Sequence, residues 1–190
     1  MNGRVLVCFG SRYGSTSEIS ERIAEVFRSK EVEVDLVDLK KGKVSDLERY
    51  DLVVVGSGIR MGKWTKEALK FLKRNRDTLS AMKVAIFVSC MSASQPEKCT
   101  QARREYLEFI SIDFPEIRPV SMSLFGGLID ASRGNFVTRP IMKALIGTLT
   151  ESEDNEETPD RIDMRDWEQV RIWAESLSEQ HLFQGNDTPP

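Results

Sequence analysis

Three runs without a polar residue limit what this chain can fold into: VLVCF at residues 5–9, LVVV at 52–55 and VAIFV at 84–88, each followed at once by small or polar residues. An uninterrupted apolar run suits a strand covered on both faces, which is the pattern of a parallel sheet. Two other segments, VEVDL at 32–36 and VSMSL at 120–124, alternate strictly. They suit strands with one wetter face, at a sheet edge. Helical stripes lie between them: Ile19, Ile23, Val26 and Phe27 within 15–30, and Trp64, Ala68, Phe71 and Leu72 within 64–76. Further helices are predicted over 101–112 and 165–182. Alternation of strands and helices implies βαβ crossovers and an α/β fold. Of the two common strand orders, 2-1-3-4-5 leaves the second and fifth strands at the edges, whereas 3-2-1-4-5-6 buries the second. The alternating segments therefore predict a three-layer sandwich, a five-stranded parallel sheet of order 2-1-3-4-5 with helices on both faces.

The 190 residues suit one domain over 1–182, with a frayed tail at 183–190. Outside the repeat fall a Gly-rich stretch after the fifth strand, taken as an insert over 126–147, and an acidic loop over 151–160. Apolar residues at 40% and charged ones at 30% are the composition of a soluble globular chain. No apolar run approaches the ~20 residues of a spanning helix, and the N-terminus lacks a signal-peptide layout, so a cytoplasmic location is expected. Cys8, Cys90 and Cys99 are sparse and lack CxxC spacing; reduced thiols and no metal site are expected. A net charge of −3 argues against nucleic acid as a partner.

The sequence CFGSRYGSTSE at 8–18 leaves the first strand and enters the first helix. Residues 11–16 thus lie at the carboxyl edge of the sheet and at a helix N-terminus, where unpaired N–H groups and the helix dipole favour a phosphate. Gly14 lets the backbone approach closely, and Ser11, Ser15 and Thr16 offer hydroxyls. Ser15 and Glu18 also match an S-x-x-E capping box, which competes for the same hydroxyl. A nucleoside triphosphate loop would need a lysine after Gly14, and a dinucleotide fingerprint would need G-x-G-x-x-G. Neither is present, and a hydroxyl-lined loop suits a monophosphate.

The segment SRYGST at 11–16 resembles the FMN-phosphate loop of flavodoxins, S/T-x-T-G-x-T, with Tyr13 in place of the central threonine. Over nearly the whole chain, GSGIRMGKW (56–64), the insert and RIDMRDWEQVRIWAESL (161–177), with its D-W-E-x-V signature, resemble flavodoxin-type menaquinone-dependent protoporphyrinogen oxidases and related flavodoxin-domain proteins. The resemblance implies FMN as cofactor, with Ser11, Arg12, Tyr13, Gly14, Ser15 and Thr16 around its phosphate. It places Ser57, Gly58, Ile59, Arg60, Met61, Gly62 and Trp64 on one side of the ring and Ser89, Cys90, Met91 and Ser92 on the other. Trp64 and Met91 read equally as core residues. Within D-W-E-x-V, Trp167 and Val170, with Trp173 beyond, are expected to form the inner stripe of the last helix.

The one histidine, His181, lies near the end of the chain, so no Ser-His-Asp or Cys-His constellation is available and no catalytic side chain is assigned. Redox power would come from the cofactor. The resemblance implies a porphyrinogen oxidised through FMN, with electrons passed to a quinone-type acceptor. Arg60, Lys63, Arg133 and Arg139 are candidates to grip the substrate's carboxylates, although a basic helix face is also simply a wet one. The apolar and basic insert would contact substrate, its own sheet or the inner face of a membrane. The alternative is an electron-shuttle flavodoxin serving partner proteins. A phospho-receiver of the same fold would need acids after the first and third strands, where Phe9-Gly10-Ser11 and Gly56-Ser57 stand.

Overall fold

The computed structural model describes residues 3–150 and 159–182; the expected tail at 183–190 and most of the acidic loop, 151–158, lie outside the described residues. Strand β1 (Arg4–Gly10) leads into α1 (Ser15–Ser29) and β2 (Glu33–Asp38). Next come β3 (Leu52–Arg60), the two-residue β4 (Lys63–Trp64), α2 (Lys66–Arg74), α3 (Arg76–Leu79) and β5 (Val84–Ser89). Helices α4 (Pro96–Arg103) and α5 (Phe109–Asp113) follow, joined by a π-turn (Arg104–Glu108), then β6 (Ser121–Phe125). The parallel strands run in the order β2-β1-β3-β5-β6. This is the expected 2-1-3-4-5 once β4, which folds back antiparallel on β3, is set aside. Both alternating segments are edge strands. The expected helix over 101–112 begins earlier, at Pro96, whose missing N–H suits a first helical turn.

Period-two alternation within the apolar runs divides the core. Leu6, Cys8, Val53, Val55, Ile86 and Val88 face one way, onto Ala68, Phe71, Leu72, Leu107 and Ile110. Val5, Val7, Leu52, Val54, Ala85 and Phe87 face the other, onto Ile19, Ile23 and Phe27 of α1 and onto α7 (Trp167–His181). Each inner strand is thus covered on both sides along its apolar run, which explains why that run carries no polar residue.

Helix α7 corrects one expectation. Its buried stripe is Val170, Ala174, Leu177 and Ser178, with Trp173 packed edge-on against Phe87 and Phe125 and donating from its indole to Ser121 Oγ (2.9 Å). Trp167 is 37% exposed and lies under the Arg165 guanidinium, 4.4 Å from ring centroid to Cζ. Trp167 is the first residue of the helix, at its open end, where the Arg165 guanidinium rather than the sheet packs on its ring. The D-W-E-x-V signature opens with a cap: Asp166 accepts from the Gln169 N–H (2.9 Å). Asp166→Ala is expected to cost about 1 kcal/mol, a fall of roughly 2–4 °C in Tm by thermal melt, with the fold retained.

The insert forms a small lobe at the carboxyl ends of the strands. Strand β7 (Leu128–Asp130) pairs antiparallel with β8 (Arg161–Asp163), and α6 (Thr138–Thr150) lies between them in sequence. Ile129, Ala131, Met142 and Ile146 make its own core, against which Met91 packs. Phe136, Val137, Ile141 and Leu145 face outward.

Candidate functional site

The carboxyl ends of β1, β3 and β5 surround an open cleft with ≈ 440 Å³ of empty space, closed on its fourth side by the start of the insert. Eleven of the residues singled out from sequence line it: Ser11, Arg12, Tyr13, Ser15, Thr16, Gly58, Ile59, Arg60, Ser89, Cys90 and Met91. Thr65, Gly127 and Leu128 complete the wall.

The loop at one end has the geometry of an anion mouth. Gly14 is the N-cap of α1 in the left-handed region (φ 95°), and the first helical hydrogen bond runs from the Glu18 N–H to the Gly14 carbonyl (3.0 Å). The N–H groups of Ser15, Thr16 and Ser17 precede that ladder. The Gly14 N–H donates to Ser11 Oγ (3.2 Å), which tightens the loop. Among the described residues no side chain caps the helix, so the capping box is not formed. Two arginines draw the Glu18 carboxylate away, and the Ser15 hydroxyl instead meets Ser89 Oγ (3.1 Å) across the cleft. A hydroxyl left out of capping remains available to a ligand.

Other side chains lie outside the lining. Ser57 is fully buried, bonded to the Thr65 N–H (3.0 Å) and hydroxyl (3.1 Å), and pins the β3–β4 hairpin. The Trp64 indole is in the core, donating to the Tyr106 carbonyl (2.9 Å) and meeting Phe109 edge-on. Its helical spacing with Ala68 and Leu72 already offered that role. Met61 (89% exposed) and Gly62 form the hairpin tip, and Lys63 is exposed beside them. Ser92 belongs to the 3₁₀ turn Met91–Ser94. Arg139 is on α6, 3.7 Å from Asp160, away from the cleft. Arg133 reaches Glu18 and the Tyr13 carbonyl.

Thr65, Gly127 and Leu128 carried no legible signal, because a hairpin and a small second sheet bring them in. Behind the loop lies a charge network that sequence reading also missed. Arg165, whose side chain is 1% exposed, donates to Asp163 through Nε (2.7 Å) and Nη2 (2.6 Å) and to Glu18 through Nη1 (2.6 Å). Burial pushes the Glu18 carboxyl up, but hydrogen bonds from Arg165 and Arg133 outweigh it and hold the group below its usual range. Hydrogen bonding from Arg165, against a smaller effect of burial, likewise holds Asp163 low. Cys90, on the cleft wall, has its thiol pushed up to about 11 by burial, so it lines the site as a small neutral group.

A flavodoxin-domain model matches residues 6–157, most of the chain. The protein belongs to the flavodoxin-domain family. Among curated proteins, it is 25% identical over 175 residues to the protoporphyrinogen IX dehydrogenase (quinone) of Escherichia coli K12, covering 92% of this chain and 94% of that protein. It is also 25% identical to the dehydrogenase of the same description from Leishmania major, covering 92% and 74%. Among solved structures, oxidised flavodoxin 1 of Bacillus cereus superposes with a TM-score of 0.57 at 21% identity, covering 93% of this chain and 98% of that one, a likeness of fold.

The cofactor of the flavodoxin family, FMN, fits the residues present. Five hydroxyls (Ser11, Ser15, Thr16, Thr65 and Ser89) converge on the cleft with the free N–H groups of a helix mouth. At Gly58 a Cβ would stand 2.8 Å from Thr16 Oγ1, so only a bare backbone passes the loop there.

Proposed function

We propose that this protein is an FMN-dependent oxidoreductase whose substrate is a small molecule bearing carboxylates, in the manner of a protoporphyrinogen oxidase that passes electrons to a quinone-type acceptor. Its single FMN-binding domain spans residues 1–182. The observation that carries the reading is the charge of the cleft wall: Arg12 and Arg60 line it and, among the described residues, no carboxylate does, in a chain with net charge −3. Protein-docking shuttles that meet basic partners need the opposite sign around the flavin. The match to the two dehydrogenases over 92% of the chain supports the same reading.

In this reading the N–H groups of Ser15, Thr16 and Ser17, with the hydroxyls of Ser11, Ser15 and Thr16, bind the phosphate. Gly58 to Arg60 and Ser89 to Met91 flank the ring, and the Ser15–Ser89 contact ties the phosphate loop to the second of these walls. When bound, FMN supplies reversible two-electron chemistry. Arg60, whose Cζ is 6.0 Å from the Tyr13 ring centroid, stays free of ion pairs among the described residues and is available, with Arg12, to fork onto carboxylates. Arg133 and Arg139 are engaged with Glu18 and Asp160, and support a substrate role less well. No helix among the described residues is long and apolar enough to cross a membrane. The outward residues Phe136, Val137, Ile141 and Leu145 support peripheral contact, where a quinone resides.

Anaerobic mixing with protoporphyrinogen tests this. Flavin absorbance is expected to bleach faster than with a protein electron donor, and Arg60→Ala is expected to raise KM about tenfold with FMN content unchanged. Rapid reduction by a reductase or ferredoxin without bleaching by the porphyrinogen would favour the second reading, an electron shuttle of the flavodoxin type, to which the fold is equally suited.

A further inference from the structure

Arg133 stands where an electrostatic problem of the anion mouth is solved. It leaves the 3₁₀ turn Ala131–Arg133 of the insert and crosses to the first helix, with Nη1 2.9 Å from Glu18 Oε1 and 3.4 Å from the Tyr13 carbonyl, and Nε 3.3 Å from Asp130 Oδ2. One guanidinium nitrogen comes close to the loop: a Cβ on Gly14 would be 2.6 Å from Nη1. Glu18 is one turn inside α1, close behind the N–H groups that would receive a phosphate, and its charge opposes a dianion there. Arg165 covers Oε2, and Oε1 is covered by Arg133.

We propose that Arg133 is the specificity-determining residue of the cofactor site: by covering Glu18 Oε1 and the outer wall at Gly14, it makes the cleft select phosphorylated flavin over free riboflavin. This rests on the FMN reading of the loop. It makes the insert part of the cofactor site rather than an appendage. With Arg133 removed, half of the Glu18 carboxylate faces the mouth uncovered and repels a phosphate. Riboflavin has no phosphate and feels no such penalty.

Among the described residues the charged groups of this cluster are Glu18, Asp130 and Asp163, all held below their usual range, and the guanidinium groups of Arg133, Arg161 and Arg165. The three lowered carboxylates stay charged between pH 5.5 and 7.5, whereas a phosphate monoester loses its second proton near pH 6. The test is titration of the flavin-free full chain with FMN and with riboflavin, followed by fluorescence quenching at pH 7.5 and 5.5. For Arg133→Ala, FMN binding is expected to weaken about tenfold at pH 7.5 and less at pH 5.5, with riboflavin unchanged within about twofold. Arg133→Lys, which keeps the charge, is expected to retain most of the selectivity. Equal losses for the two flavins would mark a merely structural role and overturn the proposal. So would a variant that keeps the wild-type preference for FMN, or one whose loss is the same at the two pH values. Wild-type protein that takes up neither flavin would instead overturn the reading of the loop itself.

Discussion

Gly126→Ala is expected to destabilise the protein by about 3 kcal/mol, a fall of roughly 6–12 °C in Tm, and to weaken FMN binding with it. A Cβ at this position would lie 1.8 Å from the Met164 carbonyl oxygen and 2.6 Å from its carbon, so backbone rather than a flexible side chain must give way. What gives way is the seam between sheet and insert. The Met164 N–H donates to the Gly127 carbonyl (3.0 Å), Ser94 Oγ donates to the Met164 carbonyl (2.9 Å), and Ser89 Oγ donates to the Gly126 carbonyl (3.2 Å). Because Ser89 also meets Ser15, displacement of the seam reaches the cleft. Thermal melts and flavin titration on the same preparation check both effects. An unchanged Tm would mean that the seam is far softer than its contacts indicate.

Arg165→Ala is expected to cost about 2–3 kcal/mol, toward the low end for breaking a buried ion pair. The variant leaves Glu18 with Arg133 and Asp163 with Arg161 as their remaining ion-pair partners among the described residues, and the two carboxylates keep 32% and 29% exposure, so water recovers part of the loss. The pH dependence identifies the cause. The two carboxyls are held below their ordinary values of 4.5 and 3.8 in the folded chain, so the stabilisation is complete above those values and is lost as pH falls through the lower folded ones. Wild-type stability is expected to decline steeply on acidification below about pH 4.5. In Arg165→Ala the decline is expected to be shallower, because the partner that lowered both groups is gone. Urea unfolding at pH 7 and pH 4 measures the difference. Equal losses of stability on acidification in the two proteins would detach the pH dependence from this network.

The fold was legible because the inner strands obey a strict rule: a run such as VAIFV at 84–88 has no polar position, and only cover on both faces explains that. The strand order followed from the two alternating edges, and the loop at 11–16 from its hydroxyls and Gly14. The rest depended on contacts between residues far apart in sequence. Ser57 looked like a ring contact, but its hydroxyl is spent on Thr65 eight residues away. Glu18 looked like half of a capping box, and two arginines more than 110 residues away claim it. Trp64, for which the core and the ring were equally open, is turned into the core by β4, whereas Trp167, expected on the inner stripe, is 37% exposed beneath Arg165. Leu128 and Gly127 reach the cleft only through the pairing of β7 with β8.

Backbone amide NMR during addition of FMN tests the binding of a phosphate at the mouth of α1 most directly. The Ser15, Thr16 and Ser17 N–H resonances are expected to move downfield and become protected from exchange as the flavin saturates, and riboflavin is expected to leave them largely in place. Amides at 15–17 that stay unmoved while FMN binds would show that the phosphate is held elsewhere.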